Sequence, residues 1–256
     1  MLESQKEEIR GRLVVQSNSL IRKNREMMTL QENKILLYLI SNIKPTDETV
    51  DSIVIDLREL CDICGIELNG KNYYNLRESL KSLASKHFWM ARGTKEVLCA
   101  WIVKPEIDRE SQTVEVRFDP DTLPFLVQLR REFTTYELRF ALACHSTYGL
   151  RLYELLKSYA SVGTWTVDLE SFRDLTNSQN YKDFVSLRRR VIEPALREIE
   201  IKTDLSVTYE ALREYGKRAV SAISFTIKRR HLPLARFAAD LALDNPNDEI
   251  FKKKEN

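Results

Sequence analysis

Residues 181–199 read YKDFVSLRRRVIEPALREI: three consecutive arginines, with Lys182 and Arg197 on either side, in a segment whose apolar residues recur at helical spacing. A guanidinium is permanently charged and offers a planar fork of N–H donors. A row of them therefore suits phosphate or the O6 and N7 edge of guanine. On a wheel of about 100° per residue with Phe184 at zero, Leu187, Val191, Ala195 and Ile199 fall within about 60° and form a core stripe. Lys182, Ser186, Arg189, Arg190 and Arg197 fall on the far side, at about 140–240°. Glu193 is the only acid among them. Arg188 falls near 40°, roughly at the edge of the core stripe, where pairing or snorkelling is expected rather than reading. Pro194 has no N–H to return to Arg190 and predicts a kink, leaving residues 182–190 as the part that fits a major groove. A solvated basic face or a protein interface is the competing reading.

Other chemistries find little support. The glycines match neither G-x-x-x-x-G-K-[ST] nor G-x-G-x-x-G, so neither common phosphate loop is expected. Cys61 and Cys64 form one C-x-x-C, but the only other candidate pair is the adjacent Cys144–His145, and adjacent residues chelate one ion poorly. Buried free thiols are expected, with no metal and no cofactor. A nicking enzyme of rolling-circle type needs a metal held by clustered histidines beside a nucleophilic tyrosine. No His-hydrophobic-His triplet occurs. The chain is therefore read as non-enzymatic.

Net charge is only +2, but it is unevenly distributed. Residues 182–230 carry 12 Lys and Arg against 7 Asp and Glu, the asymmetry expected of a nucleic-acid-binding face. With 43% hydrophobic and 30% charged residues the composition suits a folded core. No run of 18 apolar residues is present, so no membrane span is expected. MLESQKEEIR lacks the apolar segment of a secretory signal, and a cytoplasmic location is the default reading.

The elements that must carry these residues come in an order that repeats. After a polar lead, RLVVQSNSLI (12–21) reads as a strand. TLQENKILLYLISNI begins with Thr29 and Glu32 as a capping box, and Pro45 is expected to stop its helix. SIVID is a short strand, LRELCDICG a short helix closed by Gly65, and a long helix runs from about Gly70 to Lys86. HFWMA, EVLCAWIV and QTVEVRF follow as β-segments. TTYELRFALACH and TYGLRLYELLKSYA then read as helices, TWTVDL as a strand, ESFRDLTN as a short helix, and 181–199 as the long one. LSVTYEAL and RAVSAISFTIKRR form a hairpin around residues 214–217. Helix, strand, two helices and hairpin is the order of a winged helix-turn-helix. The expected fold is therefore α+β, with two tandem winged helix-turn-helix domains at residues 11–125 and 126–231, joined near 119–131. Residues 232–256 read as a frayed tail.

In the second hairpin Lys217 and Arg218 flank Gly216, a place from which a wing reaches phosphate or minor groove; Lys228, Arg229 and Arg230 end the last strand and could hold the DNA backbone. In the first half the corresponding helix would turn Lys71, Tyr74, Asn75, Glu78, Ser82 and Lys86 outward, with Arg77 and Lys81 flanking. That surface is mixed in charge and suits a few phosphate contacts, with a base contact from Asn75, or a partner surface.

Taken together, LIRKNREMMTLQENKILLYLISNI, YGLRLYELLKSYA, YKDFVSLRRRVIEPALREI, KTDLSVTYE and GKRAVSAISFTIKR resemble the iteron-binding replication initiators, the Rep proteins of theta-replicating bacterial plasmids. The likeness covers about residues 12–230. It implies two winged helices docking in successive major grooves of one directly repeated origin sequence in double-stranded DNA. It also implies contact with host replication initiation proteins and helicase, with homodimerisation through the first domain and repression of its own promoter. Carried over, the second-domain reader is Lys182, Ser186, Arg189 and Arg190, and the dimer surface is the HFWMA to QTVEVRF sheet. A winged-helix transcriptional regulator binding an inverted operator is the alternative.

Overall fold

The computed structural model describes residues 2–23, 28–44, 47–67 and 70–230. The polar lead is itself a helix, α1 (Glu3–Arg10). Two units of the same element order follow. The first comprises β1 (Leu13–Ser17), α2 (Asn18–Lys23), α3 (Leu30–Ile40), β2 (Ile53–Asp56), α4 (Leu57–Cys64), α5 (Gly70–Ser85), β3 (His87–Arg92), β4 (Lys95–Ala100), β5 (Ile102–Asp108) and β6 (Thr113–Phe118). The second comprises β7 (Phe133–Glu137), α6 (Leu138–Leu142), α7 (Thr147–Tyr159), β8 (Thr164–Asp168) and α8 (Leu169–Thr176). It continues through a long helix in three parts, α9 (Phe184–Leu187), a π-turn (Arg188–Ile192) and α10 (Glu193–Lys202). It ends in the hairpin β9 (Leu205–Arg213) and β10 (Val220–Arg229).

The repeat is sharpest where local chemistry sets it. β2 ends in Asp56, whose carboxylate accepts the N–H groups of Arg58 and Glu59 at 2.8 and 2.9 Å and starts α4. β8 ends in Asp168, which accepts Ser171 N–H at 2.8 Å and starts α8. Both helices close on a left-handed residue at the same spacing, Gly65 at φ +69° and Asn177 at φ +53°. Glycine and asparagine are the residues that tolerate this conformation. The Thr29–Glu32 capping box forms as the sequence predicts, at 3.2 and 2.7 Å. Pro45 and residues 232–256 lie outside the described residues.

Three elements differ from the sequence reading. NSLI does not extend the first strand but turns into α2. TTYE, expected to be helical, is strand β7. It is held by β1 from the other unit, in an antiparallel ribbon running from Leu13↔Glu137 to Ser17↔Phe133. EVLCAWIV breaks at the buried Trp101 into β4 and β5, which belong to different sheets: β3–β4 is a separate hairpin, while β2, β6 and β5 form a three-stranded sheet. The second unit repeats that sheet as β8, β10 and β9 without the extra hairpin.

The two units share one core. Where β1, β7 and α7 meet, Gln16 Nε2 donates to Tyr136 OH (3.1 Å) and to Glu154 Oε1 (3.3 Å), which also accepts the Tyr136 hydroxyl at 3.0 Å. Arg151 donates to the carbonyls of Ile21 (2.9 Å) and Leu175 (2.8 Å). Arg22 bonds Ser158 at 3.1 Å and lies 3.8 Å over the Tyr159 ring. In the second sheet Ile223, Phe225 and Ile227 face inward and Thr226 and Lys228 outward, the two-residue alternation of a half-buried strand.

Candidate nucleic-acid interface

The long helix of the second unit, the candidate reading helix, starts at Phe184, not at Tyr181. Asp183 is the cap: its carboxylate accepts Ser186 N–H at 2.8 Å. Bonds from the Ser186 amide and hydroxyl hold that carboxyl below the usual aspartate range. Lys182 is therefore exposed in the segment that leads into the helix, and Ser186 is half-buried and engaged at the cap.

The expected kink takes the form of a π-turn over RRRVI, one turn before Pro194. Pro194 can donate no N–H, and its ring crowds the Arg190 carbonyl. A widened turn that takes in one extra residue relieves this, and Glu193 N–H duly reaches back five residues to Arg188 O. One consequence is that Val191 and Ile192 are both buried, at 1% and 0% exposure, although a regular wheel would set them about 100° apart. Arg189 and Arg190 are both exposed, on the side where the regular wheel already places them. Neither makes an ion pair or hydrogen bond with another described residue. Arg188 pairs instead with Glu193 (3.4 Å), as its wheel position suggests. Glu193 is thus countered by Arg188 rather than by Arg189 or Arg190.

The helix is anchored from behind. Leu187, Val191, Ile192, Ala195 and Ile199 enter the core. Glu198 reaches the N-terminus of α7, where it accepts the His145 N–H and the Ser146 hydroxyl, the latter at 2.7 Å. A carboxylate there also meets the positive end of the helix dipole. Arg197 is exposed one residue away, on the solvent side.

In the wing, residues 214–217 turn with Gly216 at φ +76° and Lys217 N–H bonded to the Glu214 carbonyl at 3.0 Å. Lys217 pairs with Glu214. Arg218 is exposed, and its carbonyl accepts Arg213 Nε at 3.1 Å. Tyr215 at the tip is fully exposed. Lys228 and Arg229 are also exposed but lie at the other end of the hairpin, since Arg229 pairs with Leu205 and Val220 with Arg213. The nine residues of β9 span about 30 Å. The wing-tip and strand-end cations are therefore two separate patches. Arg230 belongs to neither: it binds Glu200 (3.0 Å) and the Thr203 carbonyl (2.8 Å) at the end of α10.

In the first unit, Tyr74, Asn75, Arg77 and Lys81 are exposed along α5, and Lys71 lies in its first turn. Lys81 pairs with Glu78 at 3.5 Å. Lys86, expected outward, instead binds the buried Glu32 at 2.8 Å, and Ser82 bonds the same carboxylate. Burial alone would raise Glu32, but the bonds from Lys86, Ser82 and the Thr29 amide outweigh it and leave it below its ordinary value. Sequence reasoning missed Arg109, which comes from β-turn sequence and folds over the Tyr73 ring at 5.7 Å, beside Arg77 and Lys81. It also missed Arg213 and Tyr215 on the wing. An aromatic next to a turn glycine is the signal that could have found Tyr215.

All four cysteines are buried and unpaired. Burial pushes the Cys61 thiol up to about 11 and Cys64 up to about 12, so neither is a ready thiolate. Among the described residues no group of three His, Cys, Asp or Glu is placed to hold a metal ion, and no helix is long and apolar enough to cross a membrane.

This geometry matches known proteins. The family model described as "Initiator Replication protein, WH1" covers residues 13–157, and "Initiator Rep protein, WH2" covers residues 168–227. A "Probable replication protein rep" of Bifidobacterium longum (strain NCC 2705) is 33% identical over 131 residues, 50% of this chain and 43% of the relative. An "Uncharacterized 27.6 kDa protein" of Escherichia coli is 32% identical over 111 residues, 43% of this chain and 46% of the relative. The chain thus spans less than half the length of these curated relatives. Among solved structures, the Pi initiator protein in complex with iteron DNA aligns with a TM-score of 0.71 at 18% identity, covering 87% of this chain and 99% of that one. The two winged helices, the repeated capping pattern and both family matches agree, and the chain belongs to the initiator replication protein family.

Proposed function

We propose that this protein is a plasmid replication initiator that binds directly repeated origin sequences in duplex DNA through both winged helices. The second winged helix is the main reader. The observation that carries the reading is the exposed pair Arg189 and Arg190, without an ion pair or hydrogen bond among the described residues, raised on a core-anchored helix inside the WH2 match. Their forks suit guanine O6 and N7, while Lys182, Arg197, Arg218, Lys228 and Arg229 supply phosphate contacts. Lys217 joins them by exchanging Glu214 for phosphate. Lys71 and Asn75 on α5 place the first winged helix, residues 11–125, in the neighbouring groove. Ser186 serves by donating its N–H to Asp183, the cap of the reader. No bond-making chemistry is required of the chain.

The protein then recruits host initiation proteins and helicase in the cytoplasm. It also forms a homodimer through the first-domain β-structure, a reading supported by the exposed cross-strand pair Trp89 and Leu98 of the β3–β4 hairpin, at 63% and 48% exposure. The test is affinity for direct-repeat duplex across a salt series. With Z phosphates neutralised, log K falls with log salt at a slope of about −0.9Z, so six contacts give about −5. A slope near zero, or equal affinity for scrambled DNA, would exclude origin recognition. A plain transcriptional regulator is separated by plasmid maintenance: an origin-less plasmid carrying the gene and its flanking repeats should replicate, and failure to yield colonies would favour the regulator.

A further inference from the structure

In its first turn the exposed side of the reading helix carries a residue with no charge to offer. Val185 is 55% exposed in the first turn of α9, bordered by Asp183, Ser186 and Arg189. A lone surface valine is ordinary by itself. This one is set apart by its place. It stands four residues before Arg189, hence on the same helix face. The N-terminal residues of a reading helix are those that meet base edges. It is β-branched, a poor choice for a helix surface on propensity grounds, and its neighbour Leu187 supplies the core contact of that turn. Its two methyl groups can neither donate nor accept a hydrogen bond. In the major groove of unmodified DNA the one feature that suits them is the C5-methyl of thymine.

We propose that Val185 is a specificity-determining residue that packs on a thymine methyl group in the origin repeat. This deepens the DNA-reading proposal and rests on it. Four helical residues advance about 6 Å, against about 3.4 Å per base step. The thymine therefore lies within two base pairs of the base read by Arg189, so the Val185–Arg189 ridge reads a T and a G close together.

The experiment replaces each thymine of the protein's own repeat, one at a time, by deoxyuridine, which removes only the methyl group. Affinity is measured for the full chain, Val185→Ala and Arg189→Ala. In the wild type, one uracil position should weaken binding about fourfold, the worth of one desolvated methyl group. Val185→Ala should lose a similar factor on thymine DNA and be insensitive to uracil at that position. Its thermal midpoint should be unchanged, because the side chain leaves the core untouched. Wild type and Val185→Ala responding alike at every thymine would overturn the methyl contact. If Arg189→Ala still discriminates against scrambled DNA in the same assay, the reading-helix proposal falls as well. If Arg189→Ala loses discrimination while Val185 shows no coupling, only the methyl contact is lost.

Discussion

The attachment of the reading helix to α7 can be tested by the sign of a single substitution. Gly149 lies in the first turn of α7, and a Cβ there would overlap Glu198 Oε2 and stand 2.8 Å from Ser146 Oγ. Gly149→Ala should normally stabilise a helix by about 0.5–1 kcal/mol. Here it must expel the Glu198 carboxylate, which accepts the His145 amide and the Ser146 hydroxyl. Hydrogen bonds to a charged group are worth about 1.5–3 kcal/mol each, and partial exposure of this pair argues for the low end. The net expectation, two bonds at the low end less the helix gain, is a loss of about 2–2.5 kcal/mol. In a Glu198→Ala background the obstacle is gone and Ser146 is free to shift, so Gly149→Ala should become neutral or stabilising. The coupling between the two positions should be at least about 1.5 kcal/mol, within the range measured for contacting residues. Urea unfolding at neutral pH gives the four free energies. Thermal midpoints should move by about 2–4 °C per kcal/mol for a chain of this size. An equal cost of Gly149→Ala in both backgrounds would show that the carboxylate does not hold the helix there.

Three further outcomes are expected. Burial raises Glu154 above its ordinary 4.5, although Arg151, Tyr136 and Gln16 oppose this. The folded state then holds the proton more tightly than the unfolded chain, so this stability is complete below about pH 4.5 and is lost as pH rises through the folded-state value. The thermal midpoint of Glu154→Gln relative to wild type should therefore rise between pH 4.5 and 7, and a flat or falling difference would contradict the burial argument. Leu187→Ala removes a fully buried anchor of the reading helix and should cost about 2–5 kcal/mol in chemical unfolding; a loss under about 1 kcal/mol would mean the helix is not core-anchored there. Trp89→Glu places a charge on the exposed β3–β4 pair and should shift sedimentation toward monomer without changing the unfolding midpoint, whereas unchanged self-association would remove that face from the dimer.

What the sequence disclosed and what it withheld divides along the range of the interactions. Thr29 with Glu32, the Gly65 terminus and the alternation of Ile223, Phe225 and Ile227 are local signals, and each element formed where local chemistry put it. β7 was missed because TTYE precedes the apolar run LRFALA and reads as its first turn. It is a strand because β1, some 120 residues earlier, supplies its hydrogen bonds. Pro194 announced a disturbed helix, but a wheel with a fixed period could not show that the disturbance takes in an extra residue and buries Val191 beside Ile192. At the candidate site the same division holds. Arg189 and Arg190 followed from periodicity. The pairing of Lys217 with Glu214, the turn of Lys86 toward Glu32 and the separation of Lys228 from the wing tip depend on neighbours that no spacing rule encodes.

The central claim is that the exposed arginines of the reading helix contact base edges. It is tested most directly by the affinities of Arg189→Ala and Arg190→Ala for the protein's own repeat and for a scrambled duplex, at one fixed salt concentration. Loss of a bidentate guanine contact costs about 1–3 kcal/mol, or roughly 5- to 150-fold. That loss should fall on the repeat, with the scrambled duplex affected far less. Equal losses on both duplexes would make the two arginines anchors of the phosphate backbone, and no loss on either would contradict the account.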